Sequence, residues 1–398
     1  INLASSLKFW IDPSDTSTVT LTYNDQGTTA TGTSGTNTIT VSANTNLLVG
    51  ARIRLGGAGA VTTADTLGAD TYTITNIAGT TITLSGNLTT NYTGASVSLG
   101  QVSKINDKSG NAYHAVQGTA ADMPVWISNG QNGQGTLRFV SANTQFMTVS
   151  SLTMSPVHTV AAAMNVPVGG MIMEHSPGAN NTTGGWWLYG STNHNSRVNG
   201  VGVGLGDAFD SGLTYWGTPS IVAVTSDGTQ AGHLLYANDL LGARNNVAGG
   251  SANPGTTSYT KDLYIGSRGG ASLWTNGQTF DMEIYSTNLS ADARNLVAQY
   301  QSAKWGIALN SLNNGHTEVA QATTDGAYSV FTTRYLERLS QSANISLQAT
   351  NDINLDLKGD TLNFTTSGRS LTLTAGNQIV SKSAGAITTN NGAISLNA

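Results

Sequence analysis

This chain of 398 residues offers six histidines, no cysteine and 22 Asp plus Glu for acid–base, nucleophilic or metal chemistry. The carboxylates that could act together sit in turns. Asp12 and Asp15 belong to Asp12-Pro13-Ser14-Asp15, with Pro at its second position, and Asp107 to Asn106-Asp107-Lys108-Ser109-Gly110-Asn111. Loop carboxylates and amides suit Ca2+, and these three would meet if the first strand ran beside the second turn. The competing reading is that each caps its own turn, because Asp and Asn bond nearby backbone. Gly206-Asp207-Ala208-Phe209-Asp210 is a second acidic loop with the same two readings.

Catalytic constellations are missing from the sequence. It holds no His-Glu-x-x-His, no Gly-x-Ser-x-Gly and no phosphate-cradling loop. A glycosidase needs two carboxylates facing each other across a cleft. Asp281 and Glu283 share one face of a strand, but that spacing is common. His114 reads as a packed or hydrogen-bonding turn residue, and Glu174-His175 as a surface pair after a strand. The chain reads as non-enzymatic. Sugar contact is the sharper possibility, since sugar faces stack on aromatics while amides and hydroxyls read the edges. Trp186, Trp187 and Tyr189, followed by Asn193, offer both, as do Tyr215-Trp216 and Trp274. In a strand, Trp186 and Trp187 point to opposite faces, so at least one packs into the core.

The elements that would position these residues are strands. Charged residues make up 10% of the chain against roughly 25% in an ordinary domain, and 47 glycines accompany abundant Thr, Ser and Asn. Apolar residues recur along almost the whole length, so the chain is not disordered. Net charge is −5 with 17 Lys plus Arg, and no basic cluster could neutralise several phosphates, which argues against nucleic acid. No apolar run approaches the ~18–20 residues of a membrane span. Without cysteine, stability rests on packing, pairing and oligomerisation. The chain opens on Ile1 without a signal-peptide pattern, so it is either processed or a segment of something longer.

Leu7-Lys8-Phe9-Trp10-Ile11 reads as the first strand. Between 27 and 100, short runs such as Thr38-Ile39-Thr40-Val41 and Thr80-Thr81-Ile82-Thr83-Leu84 alternate at period two, which suggests a small inserted β-module. Further strands follow to Phe280-Asp281-Met282-Glu283-Ile284-Tyr285, and Asn238-Asp239 makes a plausible two-residue hairpin turn. One helix is expected next, capped by Ser290, with Ala293, Leu296, Val297 and Tyr300 as its apolar stripe. Many turn-spaced strands with one late helix argue for a β-sandwich.

Past Ile307 the texture changes. Residues 325–340 suggest a second helix carrying Tyr328, Phe331, Tyr335 and Leu339. The pairs Ile345/Leu347, Ile353/Leu355, Leu362/Phe364 and Leu371/Leu373 then lead to Ile379, Ile387 and Ile394/Leu396. Short strands in that register cannot bury their apolar faces as one free ribbon. Either the chain coils into a solenoid, or three copies wind together around a shared Ile/Leu core. The favoured expectation is the intertwined homotrimer, its register set by a helix too short to be stable alone.

Three pieces together carry a resemblance. Residues 7–15 with Thr18-Val19-Thr20-Leu21 resemble the opening of the laminin-G/concanavalin-A-like jelly-roll domains of phage and bacterial surface proteins. The 106–115 turn is similar to their "NDKSGNGNHA" motif, departing at Ala112 and Tyr113. Leu137-Arg138-Phe139 matches their "VRF" strand, and 282–307 their closing strand, "LS-x-x-x-R" helix and "KWGI" end. The tail resembles, more loosely, the repeats of phage tail fibres. The resemblance implies an all-β jelly roll of two antiparallel sheets with a concave face, over 1–26 and 101–307. The inserted small β-domain would span 27–100, a linker and amphipathic helix 308–344, and a trimeric β-repeat stalk 345–398. The implied function is that of a non-enzymatic virion protein at the virion surface or outside the cell. It would be a fibre, spike or capsid decoration, partnered by its own copies, other virion proteins and a host surface glycan. A cellular carbohydrate-binding module or adhesin is the alternative, and a polysaccharide depolymerase the third reading. Neither a cofactor beyond Ca2+ nor membrane insertion is implied.

Overall fold

Along the strand Gly277–Tyr285, Met282 and Ile284 turn into the main hydrophobic core, whereas Asp281, Glu283 and Tyr285 turn the other way. That alternation defines the layers. The strand pairs antiparallel with Leu7–Ile11 and Gln134–Phe139 on one side and Val157–Asn165 on the other. Ser220–Asp227 and Leu234–Ala237 extend this first sheet. The second sheet runs Ala115–Val116, Met147–Met154, Tyr259–Ile265, Gly170–His175, Gly185–Gly190, His194–Asn199 and Asp207–Asp210, each antiparallel to the next. Val160, Val222 and Ile284 from the first sheet and Leu152, Leu263 and Ile265 from the second lie in one buried cluster. The result is a jelly-roll-like antiparallel sandwich.

This computed structural model describes residues 3, 5–56, 59–61, 70–167, 169–175, 185–190, 194–199, 207–210, 217–229, 231–241, 245–246, 258–309, 318–322, 328–340, 343–357, 359 and 361–398, some by backbone alone. It divides into two compact units, Ile1–Ile307 and Ala308–Ala398. No described helix is long and apolar enough to cross a membrane.

Two long strands, Val19–Gly32 and Tyr92–Ile105, pair along most of their length and serve two cores. Leu21 and Val102 belong to the sandwich core, while Ala30, Val97 and Leu99 belong to a second cluster with Ile39, Ile53, Ile74 and Ile82. The 27–100 block therefore grows out of the sandwich's own strands, with Gly27 and Gly100 inside them. The expected hairpin forms between Leu234–Ala237 and Leu240–Leu241, with Asn238 and Asp239 both at positive φ (47° and 63°), as a tight primed turn requires.

Helix α1 (Ala291–Trp305) starts where expected. The Ser290 hydroxyl accepts from the Ala293 amide at 3.3 Å, and Gly306 closes the helix at φ 65°. Its buried face differs from the expected stripe. Ala293, Val297 and Ala298 are buried, but Leu296 is half-buried and Tyr300 exposed, while Gln301 and Trp305 turn inward. The polar Gln301 follows Glu283, and Trp305 packs on Phe280 with ring centroids 5.3 Å apart. Together with Leu289 and Ala161, the helix covers the outer face of the first sheet.

The second unit corrects the expected second helix and shows the repeat strands pairing within one chain. Residues 325–340 are not one helix. Tyr328–Thr332 is a strand paired with Glu318–Ala322, and only Thr333–Ser340 forms helix α2. A neighbouring strand supplies ladder bonds that the alternating Tyr-Ser-Val-Phe-Thr run accepts more readily than a helix. The Ile/Leu pairs do not wait for other chains to bury them. Ile345, Leu371 and Ile394 align in parallel register, as do Ile353 with Ile379 and Leu362 with Ile387. Coils of about 26 residues thus stack into a three-faced solenoid within one chain, the other reading of the repeat. Leu336 of α2 and Leu355, Phe364 and Leu373 share its core, with Leu347, Ile379 and Ile387 partly buried against it. The side chains of Phe331, Tyr335 and Leu339 lie outside the described residues.

Candidate functional site

The 106–111 turn folds around one carboxylate. Asp107 accepts from the amides of Trp10 (2.9 Å), Ser109 (2.9 Å) and Tyr113 (3.0 Å) and from the Ser109 hydroxyl (2.7 Å). Its own amide donates to His114 Nδ1 at 3.1 Å, and Asn111 Nδ2 donates to the Leu7 and Lys8 carbonyls. The turn is thereby pinned beside the first strand. Asp12 and Asp15 lie in the same corner, yet the countercharge there comes from lysine. Lys108 bonds Asp12 (3.0 Å) and Asp15 (2.8 Å), and Lys304 bonds Asp12 at 2.6 Å. Burial alone would raise the Asp12 carboxyl. Hydrogen bonds from Lys304 and Ser14, with the Lys304 charge, hold it below the usual carboxylate range. Among the described residues no group of three or more His, Cys, Asp or Glu is arranged to hold a metal. Both lysines stand in the motifs quoted above, but spacing alone did not link them to the aspartates.

Lys304 also reaches Asp281 Oδ2 at 3.1 Å, and Trp10 Nε1 donates to Asp281 Oδ1 at 2.8 Å. Glu283 accepts from the Tyr285 hydroxyl and lies at 3.5 Å from Gln301 Nε2. Both carboxyls are raised above their ordinary range, first by burial; the charge of Asp12 adds to the rise at Asp281, and the charge of Asp281 to that at Glu283. A raised carboxyl pair would suit acid–base chemistry, but this one is sealed beneath α1 with no room for substrate. Its work is to dock the helix.

Among the described residues no helix lies over the outer face of the second sheet, although Glu174 on that face is fully buried. Tyr264 and Glu174 lie in one cross-strand row that begins at Val116 and Thr148 and continues through Trp187, Arg197 and Ala208. They alternate with Leu263, Ile265 and Met173, which face the core. Phe146 and Tyr264 form a tilted ring pair with centroids 6.3 Å apart. Arg268 Nε stands 3.6 Å from Glu174 Oε1. Burial, then the charges of Asp262 and Glu174, raises the Tyr264 hydroxyl. The surface-pair expectation for Glu174-His175 is overturned. Both residues are buried, His175 on the core side against Tyr259 with ring centroids 5.3 Å apart and Glu174 on the outer side beside Arg268. His175 Nε2 meets the Leu152 carbonyl at 2.8 Å.

Of the aromatic candidates, Trp187 pairs in register with Glu174, Trp186 with buried His175, and Tyr189 with Met171. Their side chains, and the whole of Asn193, Tyr215 and Trp216, lie outside the described residues. Trp274 is half-buried in the connection before Gly277–Tyr285, next to Leu273 at φ 50°. Tyr264, Phe146 and Arg268 escaped the sequence reading. The one available signal was Asp262 and Tyr264 alternating with Leu263 and Ile265.

No family model matches this chain, and neither does any curated protein. Among solved structures it is similar to the binding domain of Paraclostridial Mosquitocidal Protein 1, at 14% identity and TM-score 0.39 over 58% of this chain and 61% of that one. It is also similar to domain 4 of AbnA, a GH43 extracellular arabinanase from Geobacillus stearothermophilus in complex with arabinotriose. There the identity is 16% and the TM-score 0.33, over 49% of this chain and 92% of that one. The botulinum neurotoxin type G receptor binding domain gives 11% and 0.36, over 57% and 59%. The chain thus spans about three-fifths of the mosquitocidal and neurotoxin chains. Likeness at these scores carries no argument about function.

Buried titratable groups make stability depend on pH from both sides. Desolvation depresses His158 to about 3 and His175 to about 4. Unfolded chains bind these protons below about 6.5, so stability falls with pH at up to about 1.4 kcal/mol per unit for each histidine. Asp281 and Glu283 are raised, so unfolded chains release their protons first, and stability falls as pH rises above the ordinary carboxylate values. Urea unfolding followed against pH should show its maximum where these limbs cross, in weakly acid solution. Glu283→Gln should flatten the alkaline limb, stabilising the protein by about 1–2 kcal/mol at pH 8 relative to pH 5. An unchanged limb would refute the buried-acid assignment.

Proposed function

We propose that this chain is a non-catalytic binding module that presents the open face of its second sheet to an extracellular glycan. The observation that carries this reading is the asymmetry of the sandwich. Helix α1 covers the outer face of one sheet, whereas among the described residues no helix covers the other, which carries a half-buried aromatic pair, Phe146 and Tyr264, beside Arg268 and buried Glu174. Ring faces stack on sugar C–H surfaces, and a guanidinium fixed by a buried carboxylate reads hydroxyls with little ordering cost. Thr148, Thr153 and Thr260 add hydroxyls along the same face. Trp187, an aromatic candidate from the sequence, lies in backbone register with Glu174 on the adjacent strand.

A second reading makes the chain a homotrimeric virion surface component. It is favoured by the last described coil, where Ile394 and Leu396 are 42% and 53% exposed although their partners Leu371 and Leu373 are buried. Further copies, or other virion proteins, would cover that edge. Three copies would also compensate for weak single glycan sites through avidity.

Two experiments separate these readings. On a glycan array the protein should bind a defined set of saccharides, and Tyr264→Ala and Trp187→Ala should each weaken binding at least about tenfold with circular dichroism unchanged. Equal binding by both variants would end the face assignment. Light scattering should give trimers for the full chain and monomers after deletion of 308–398. A monomeric full chain would exclude the trimeric reading.

A further inference from the structure

A second polar site lies where the 27–100 block joins the sandwich, away from the face discussed above. Arg52 and Arg54 alternate with core residues Ile53 and Leu55, so both guanidiniums leave the same side of their strand. Each lies on an aromatic ring: Arg52 Cζ is 4.7 Å from the Trp126 centroid, and Arg54 Cζ is 4.5 Å from that of Tyr23. Trp126 is itself fixed by its Nε1, which donates to the Pro13 carbonyl at 3.0 Å. Gly100 permits the approach. A Cβ there would sit 3.3 Å from Tyr23 Cε1 and 3.4 Å from Arg52 Cβ.

Hydroxyls surround the arginines. Ser98, Arg54 and Thr71 form one cross-strand row on three adjacent strands. Tyr23 is 1% exposed, Ser98 0% and Thr71 7%, yet among the described residues Tyr23 Oη, Ser98 Oγ, Thr71 Oγ1 and Arg54 Nε have no hydrogen-bond partner. The Tyr23 and Thr71 hydroxyls are neighbours without a well-formed bond, and both guanidinium charges act on the Tyr23 hydroxyl. Buried hydroxyls left unmet cost about 1–3 kcal/mol each, so native proteins seldom keep several together without a purpose. Arg54 has no ion pair with a described carboxylate. Of the described acids near them in register, exposed Asp25 accepts from the Gly27 amide, and Asp70 accepts from the Tyr92 and Thr89 hydroxyls, while Asp65 lies outside the described residues.

We infer that Arg52, Arg54, Tyr23, Ser98 and Thr71 form an oxyanion-binding pocket, which takes a carboxylate or sulfate group, free or carried on an acidic saccharide. Arg54, held on the Tyr23 ring, provides charge and a fork of N–H donors, Arg52 adds its charge beside it, and the three hydroxyls supply further donors. This pocket is independent of the Tyr264 face, and either can fail without the other.

Calorimetric titration of the full chain with sodium sulfate, and separately with a galacturonate trimer, tests it at constant ionic strength, with a neutral trisaccharide as control. Saturable one-to-one binding of sulfate, galacturonate or both is expected, and Arg54→Gln should weaken it at least tenfold. Tyr264→Ala should leave it unchanged. Ser98→Ala removes one buried hydroxyl with little effect on packing, and should weaken binding severalfold even if Arg54→Gln compromises the fold. Tighter binding of the trimer would place the anion on a saccharide, and tighter binding of sulfate would identify a free ion; both support the pocket. Absence of saturable binding of either probe, or wild-type affinity in both Arg54→Gln and Ser98→Ala, would overturn it.

Discussion

Lys304 ties together segments from opposite ends of the first unit. Its ammonium group bonds Asp12, just after the first strand, and Asp281, in the last one, while Lys108 from the 106–111 turn extends the chain of charges to Asp15. Removing one partner from such a buried pair costs about 3–5 kcal/mol, because the other charge is stranded. The same lysine belongs to α1, so the charge chain also fixes the helix on its sheet. With Gln301 against Glu283 and Trp305 against Phe280, the helix cannot leave without exposing two carboxyls. The proposed ligand face rests on that docking, since it commits one sheet face to structure.

This division explains why the most chemically suggestive carboxylates are not the site. Asp281 and Glu283 have the raised protonation of catalytic acids, but their environment is a helix–sheet interface. Asp107 has the look of a calcium ligand, but backbone amides and a serine hydroxyl occupy its oxygens. Conversely, Tyr264 belongs to an ordinary alternating strand and matters only because its neighbours across the sheet are Glu174 and Thr148. Perturbed protonation marks burial here, and the proposed ligand face is marked instead by the half-buried ring pair of Phe146 and Tyr264.

How much of this was legible in the sequence depended on how local each signal was. Period-two runs located the strands of the 27–100 block because each alternates within its own few residues, and Ser290 and Gly306 marked α1 through caps needing only the adjacent turn. The Asn238-Asp239 hairpin was readable for the same reason. Glu174 was not, because Tyr264 and Arg268, which lie against it, come from a segment far along the chain. Nor was Tyr328–Thr332, whose spacing suits a helix until Glu318–Ala322 offers a ladder. The tail shows the limit most plainly. Its Ile/Leu register fits both a single-chain solenoid and an intertwined trimer, and only the parallel pairing of Ile345 with Leu371 and Ile394 selects the first.

Hydrogen exchange on the first unit, with and without the glycan that the array identifies, addresses the central claim most directly. The open-face account predicts slowed exchange at 146–153, 170–175 and 259–268, with α1 at 291–305 unaffected. Protection confined to α1, or spread across neither sheet, would contradict it.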